Sequence, residues 1–248
     1  MKNTGSRQKL QALDWRAFWD RPNAVYAGDR HLRAHYHRLF TDLEPLLPPP
    51  EAKPTILDFG CGDALMADRL AARAERVFLY DASPLIRQRV VDRFRAHPRL
   101  TVCSDADLAA MGSASVDLCL VISVVQYLTR PALTELLVEF CRLLKAHGSL
   151  IIADVIPPDA SVWRDLLVRW RIAAAKTFLI ADILAITKLA VSDYGRLRRH
   201  LGLAQYSAAT FTEILLNAGF SAERLARNPG PMPHRLAFIA TPLRGFTP

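Results

Sequence analysis

From residue 54 onward the chain alternates two hydrophobic patterns. Short, almost unbroken apolar runs stand at PTILDF (54–59), RVFLYD (76–81), RLTVCSD (99–105), SVDLCLVIS (115–123) and SLIIADVIP (149–157). Their length and the turn-forming residues after them predict strands, and the lack of polar alternation predicts strands covered on both faces. Between them, apolar residues recur every three or four positions, in DALMADRLAARA (63–74), SPLIRQRVVDRFRAHP (83–98) and PALTELLVEFCRLLKAHG (131–148). That spacing predicts helices, with Pro84 and Pro131 at first turns and Pro98 and Gly148 at the ends. Parallel strands joined through such helices need right-handed crossovers. The tail adds a helix ending near Gly219 and two strand-like pieces around NPGPMP, which read as an antiparallel hairpin. The expected fold is α/β: a doubly wound, mostly parallel, seven-stranded sheet with a C-terminal antiparallel hairpin.

Two stretches stand outside this alternation. Residues 1–50 hold two of the four tryptophans and two of the six tyrosines. They predict an N-terminal helical cap, joined to the first strand through the linker LPPPEAKP. Residues 158–205 predict a helical insertion after the fifth strand, so one domain has its core at 51–157 and 206–248. The centre of the insertion, 172–191, is apolar apart from Lys176, Asp182 and Lys188 among charged residues. On a helix those three point about 120° apart and mark no polar face. They also argue against a membrane span, because each charge costs about 2.5–3.5 kcal/mol near the bilayer centre. A lid over a ligand pocket is the expected role. Arg164, Arg169, Arg171, Arg196, Arg198 and Arg199 flank it and suit an amphiphilic or anionic acceptor, presented at a membrane surface. A homodimer interface is the alternative.

Charge and composition refine this only slightly. The formal net charge of +8 permits nucleic acid, anionic membrane or acidic small molecules as partners. Basic residues are spread along the chain, and no N-P-P-[YF] or D-P-P-Y tetrapeptide, Pro-Cys nucleophile or separate RNA-binding module is present. Nucleic acid is therefore the disfavoured partner. Four cysteines form no C-x-x-C pair, which predicts reduced, buried thiols and a cytoplasmic protein. The polar opening MKNTGSRQKLQALDW predicts no secretory signal.

The chemistry concentrates in ILDFGCGDALMADRL, residues 56–70. A glycine-rich turn there lets backbone approach a ligand at the carboxyl end of a strand. Leu65 stands where G-x-G-x-x-G would place its third glycine, and Asp58 and Asp63 flank the turn. Those two charges oppose a dinucleotide pyrophosphate by roughly a kcal/mol or more each. A ligand with an ammonium, a sulfonium and one carboxylate meets no such objection, and S-adenosylmethionine fits that description. Asp81, ending the second strand, is placed to accept both ribose hydroxyls. Asp105, ending the third, is placed to reach the exocyclic amino group of adenine. The alternative for Asp105 is a solvated acid or a helix cap, with Asp107 the stronger cap of the two.

At these residues the sequence resembles the Rossmann-like S-adenosylmethionine-dependent methyltransferases. ILDFGCGDA, LYDAS, CSDADL, SVDLCLVISVVQYL, LLKAHGSLIIADV and YSAATFTEILLNAGF occur in that family's order, over roughly residues 54–157 and 206–241. The resemblance implies that Gly60, Cys61 and Gly62 line the methionine moiety, with Asp58 near its amino group. It implies that Asp81 and Ala82 hold the ribose, and that Asp105 and Ala106 border the adenine. Ser123, with Gln126 and Tyr127 nearby, would face the sulfonium and the methyl acceptor. Such enzymes often close the cofactor site with an N-terminal cap, which makes Tyr26 and Tyr36 candidate contacts. Many members have glycine where this chain has Ala64, and alanine suits a first-turn helix position. Removing Asp81 is expected to weaken cofactor binding and leave the fold intact.

Catalytic residues stand out less. Methyl transfer needs a base only when the acceptor must lose a proton. His35 and His37 are candidate bases, Gln126 and Tyr127 candidate orienting groups, and Asp154 either orients an acceptor or acts as a structural cap. His31 and His35 share a helix face, but no third ligand accompanies them, and no metal is expected. The leading reading is methyl transfer to a small-molecule or lipid-like acceptor. A nucleic-acid methyltransferase and a non-catalytic cofactor binder are the alternatives.

Overall fold

The computed structural model describes residues 29–160 and 202–243. The expectations for Tyr26, for the first part of the cap and for the apolar insertion at 172–191 lie outside the described residues. The five buried runs form β1 (Thr55–Phe59), β2 (Arg76–Tyr80), β3 (Leu100–Val102), β4 (Val116–Ile122) and β5 (Leu144–Val155). The tail forms β6 (Phe220–Arg224) and β7 (Leu236–Pro242). All seven make one sheet in the order β3-β2-β1-β4-β5-β7-β6. β1 to β5 run parallel, and β7 lies antiparallel between β5 and β6. The winding reverses between β1 and β4, which opens a crevice at the carboxyl ends of those strands.

Helices α1 (Asp29–Leu43), α2 (Ala67–Ala71), α3 (Pro84–Phe94), α4 (Asp105–Ala110), α5 (Arg130–Leu143) and α6 (Ala208–Asn217) cover the sheet. Alternate strand residues build a core on each face. Ile56, Val77, Leu79, Leu118 and Leu120 pack against Leu39, Phe40 and Leu43 of α1 and against α2 and α3. Leu57, Cys119, Val121, Leu150 and Ile152 pack on the other face, against Leu133, Leu137 and Phe140 of α5 and Phe211 and Leu215 of α6. The i, i+4, i+7 spacing in α5 is what turns one stripe of that helix inward. Side-chain caps from Ser83, Thr129 and Ser207 start α3, α5 and α6, with Pro84 and Pro131 in the first turns.

Three boundaries differ from the sequence expectation. The helix expected over 63–74 shrinks to the five residues of α2. Gly62 and Ala64 both have left-handed backbone, at φ +54° and +48°, so residues 62–66 form turns. Ala64 is therefore not a first-turn helix residue, and it holds a conformation that costs an alanine about 1–2 kcal/mol. The helix expected over 131–148 ends at Leu143, and residues 144–148 extend β5, whose register shifts between Val116 and Leu118 of its neighbour. Gly148 is needed for close backbone approach: a Cβ there would stand 3.0 Å from Lys145 O and 3.1 Å from Asp117 O. Finally, Ser104 and not Asp107 caps α4, with Asp107 completing a reciprocal capping box.

The described part of the cap is anchored around its C-terminal end. The Arg69 guanidinium lies 3.7 Å from the centre of the Phe40 ring, and Arg73 pairs with Glu44 at 3.2 Å. Asp42 accepts a hydrogen bond from Gly230 N at 3.0 Å, on the connection between β6 and β7.

Candidate functional site

β1 carries Asp58 to the crevice on the same face as Ile56, and the residue is 3% exposed. Its Oδ2 is buried with no hydrogen-bond partner. Burial first, and the nearby Asp81 second, raise the carboxyl from 3.8 to about 7. A buried acceptor-only oxygen of this kind is stabilised by a donor, above all by a cation.

The loop beyond β1 is strapped to the end of β2. Gly60 N and Cys61 N both donate to Tyr80 O, at 2.7 and 3.0 Å, and Gly62 N donates to Asp81 Oδ2 at 3.0 Å. Gly60 has φ +78°, and a Cβ there would stand 2.3 Å from Val124 Cγ2, beyond the end of β4. The bare backbone at this position therefore lets the loop and the β4 turn pack together. At Gly62 the nearest atom to a Cβ would be the Tyr36 hydroxyl, at 3.4 Å. The described half of the cap thus reaches the glycine loop through Tyr36. His35 stands beside it, half-buried, its ring edge-on to Tyr36 at 5.3 Å. Cys61 is buried, and burial pushes its thiol well above the usual range, so it is an unreactive neutral group.

Asp63, expected to add a second negative charge, is compensated: Arg89 pairs with it at 3.0 Å. Arg93 also donates to Asp63 O and to Ala64 O. Asp58 remains the uncompensated carboxylate of the pair.

Asp81 follows β2 and does two structural tasks. Its Oδ1 accepts from Ser83 N at 2.9 Å, while its Oδ2 holds Gly62 N. Burial is the main cause of its raised carboxyl. Ala82 lies half-buried between Asp81 and the Ser83 cap. Asp105 is the first residue of α4 and accepts from the Tyr80 hydroxyl at 2.6 Å and from Arg87 Nη2 at 3.2 Å. Arg87 Nη1 also donates to Asp81 O at 2.6 Å, so one guanidinium joins the ends of β2 and β3. Ala106 is exposed beside it. Asp81→Ala is thus expected to do more than remove a ligand contact. It frees two part-buried N–H groups and should cost the unliganded protein about 1–3 kcal/mol, read as a lower denaturation midpoint. An unchanged midpoint would mean that the loop holds its shape without the strap.

At the ends of β4 and β5 two non-glycine residues have left-handed backbone, Ser123 at φ +58° and Asp154 at φ +64°. Asp154 lies within β5, not after it, where the pairing with β7 loses register. Ser123 Oγ donates to Asp154 Oδ2. Asn228 Nδ2 donates to Asp154 Oδ1 at 2.8 Å, and Asn228 Oδ1 accepts from Asp154 N at 2.9 Å. Gln126, in the turn after β4, is 4% exposed, with its Oε1 buried and unpartnered. Tyr127 beside it is half-buried. Tyr80, Arg87 and Asn228 were not singled out from sequence. Asn228 sits in a segment that reads only as a turn, and its partner is 74 residues away. Among the described residues, no three His, Cys, Asp or Glu side chains cluster in a way that could hold a metal ion, and no helix is long and apolar enough to cross a membrane.

Residues 57–152 match a family model described as a methyltransferase domain. No curated protein matches the chain. Among solved structures, the protein in complex with the Haloferax volcanii Trm112 methyltransferase activator is 18% identical, with 91% of this chain and 98% of that one covered at a TM-score of 0.59. The pyocyanin biosynthetic protein PhzM is 14% identical, with 96% and 68% covered and a TM-score of 0.59. Human N-acetylserotonin methyltransferase, solved in complex with S-adenosylmethionine, is 12% identical, with 86% and 54% covered and a TM-score of 0.56. At these identities the likeness is one of fold. The domain match and the seven-stranded sheet agree: residues 57–152 carry a methyltransferase domain, and the fold is the Rossmann-like one shared by these S-adenosylmethionine-dependent methyltransferases.

Proposed function

We propose that this enzyme methylates a small apolar or amphiphilic acceptor and holds its cofactor along the carboxyl ends of β1, β2 and β3. The observation that carries the cofactor assignment is the buried, partnerless Oδ2 of Asp58. The amino group of S-adenosylmethionine is a cation of the kind this oxygen lacks. Gly60, Cys61 and Gly62 would line the methionine moiety, Asp81 and Ala82 the ribose, and Asp105 and Ala106 the adenine. Each carboxylate oxygen of Asp81 accepts one N–H and keeps a lone pair for a hydroxyl. Ser123 and Gln126 would border the methyl side, and His35 would approach from the cap. The cofactor supplies a methyl group made electrophilic by a sulfonium. Holding the acceptor in line with that methyl supplies much of the rate, so few catalytic side chains are needed.

The acceptor class rests on sequence: the apolar run 172–191 follows β5, the strand beside the methyl side of the crevice. Two of the structures sharing the fold are named for small molecules, pyocyanin and N-acetylserotonin. The free thiols of Cys61, Cys103, Cys119 and Cys141 suit a reducing compartment. Incubation of the protein with isotope-labelled S-adenosylmethionine and fractionated cell extract tests the reading. Label is expected in the small-molecule or lipid fraction, and label confined to nucleic acid would replace this reading with the nucleic-acid one.

A further inference from the structure

Ser123, Asp154 and Asn228 form a polar chain whose geometry goes beyond the needs of the fold. Ser123, just past β4, and Asp154, one residue before the end of the adjacent β5, are non-glycine residues with left-handed backbone, at φ +58° and +64°. Such conformations are costly for these residue types and tend to persist where a site requires them. From these backbones the two side chains meet in a hydrogen bond, Ser123 Oγ to Asp154 Oδ2. Asp154 is 7% exposed, and both of its carboxylate oxygens are in use, one by Asn228 Nδ2 at 2.8 Å and one by Ser123 Oγ. Asn228 is 1% exposed, and Nδ2 also donates to the carbonyls of Pro229 and Met232, at 3.0 Å each. The amide is thereby fixed in one orientation and cannot turn away from Asp154.

The consequence falls on Ser123, which is half-buried. A hydroxyl has one proton and two lone pairs. With its proton committed to Asp154, Ser123 Oγ presents only lone pairs to a ligand. The turn it begins packs on the glycine loop, because Val124 occupies the space over Gly60. Ser123 therefore stands on the β4 side of that loop, with the Asp58, Asp81 and Asp105 positions on the other side.

We propose that Ser123 is a catalytic hydrogen-bond acceptor for the proton-bearing atom that becomes methylated, a hydroxyl or an amine, with Asp154 and Asn228 as the positioning residues that turn its own proton away. This rests on the cofactor placement proposed above. As the acceptor's lone pair forms the new bond to carbon, the carbon–sulfur pair stays on sulfur. The acceptor's proton passes to Ser123 Oγ, whose own proton moves to Asp154 Oδ2, so charge and protons balance.

The test needs no knowledge of the acceptor. Sinefungin replaces the methylated sulfur of the cofactor with a carbon bearing an amine, which places a protic nitrogen where the methyl group projects. S-adenosylhomocysteine is the matching ligand without it. Calorimetry with both gives a ratio of dissociation constants within one protein, so any general change in cofactor affinity cancels. The native protein is expected to bind sinefungin roughly tenfold to a hundredfold more tightly, the range for one charge-assisted hydrogen bond. Ser123→Gly, which suits the left-handed backbone and removes the hydroxyl, should bring the ratio close to one. Asp154→Asn should reduce it several-fold, and the preference in the native protein should fade as the amine deprotonates at high pH. Equal binding of the two ligands by the native protein, or a preference that survives both substitutions, overturns the proposal. If S-adenosylhomocysteine itself fails to bind the native protein, the cofactor placement fails first, and the two failures are distinct.

Discussion

Gly60→Val is expected to be the most damaging single change in the described residues. Left-handed backbone at φ +78° costs a β-branched residue about 1–2 kcal/mol or more, and the added Cβ would stand 2.3 Å from Val124 Cγ2. Relieving that overlap by displacing a packed turn adds about 1–3 kcal/mol. Together they remove a large share of the stability of an ordinary domain and should lower the thermal midpoint on the order of 10 °C. The structure also says how to separate the two causes. Gly60→Ala keeps both penalties in milder form, and adding Val124→Ala should return the part due to overlap. A midpoint unchanged by Gly60→Val would show that the loop does not pack on the β4 turn as described.

Asp58→Asn should separate folding from binding more cleanly. In the unliganded protein the carboxyl titrates at about 7, against 3.8 for an ordinary aspartate. The folded state thus holds a proton that the unfolded chain has lost, and the sign follows. The stability contribution is complete below about pH 4 and is lost as pH rises to and beyond 7, a difference of about 4 kcal/mol. Asparagine cannot ionise, so the variant should lose this slope and match or exceed the native protein in unliganded stability above pH 7. Cofactor binding should go the other way. An ammonium beside Asp58 favours the charged form, so native affinity should climb as pH rises toward 7 and then level. The variant should bind at least tenfold more weakly at pH 8. Denaturation across pH checks the first claim and calorimetry the second. A native affinity that is flat between pH 5 and 8 would mean that Asp58 does not meet the cation.

These two residues also show how unevenly the molecule is legible in its sequence. The central strands β1 and β4 were readable because they are buried on both faces and so carry few polar residues, in runs too short for an ordinary helix. The glycine loop and Asp58 were readable because both lie within one stretch of a few residues. Boundaries set by backbone conformation were not readable. Ala64 has the side chain of a helix former and a φ that no propensity predicts, in a turn whose carbonyl accepts from Arg93 of α3. Residues 144–148 look helical alone, and pairing with β4 makes them strand. Long-range polar partners were the least visible. Asp63 looks like free charge until Arg89 is placed beside it, and Asn228 becomes informative only when folding brings it to Asp154.

The connection that carries Asn228 has one more consequence, in the order of assembly. Asn228 reaches back 74 residues to Asp154, and Gly230, two residues on, reaches back 188 residues to Asp42 of the cap. Contacts of such sequence separation form late in folding, after the loops between them have been closed. During synthesis, β1 to β5 and the glycine loop can leave the ribosome and pair while Asp154 still lacks its amide partner. Residues 228–230 then join the end of β5 and the cap through one short connection. A nascent chain that has not reached residue 228 would hold the parallel strands beside an Asp154 without its amide partner, so the alignment proposed for Ser123 waits on that one connection.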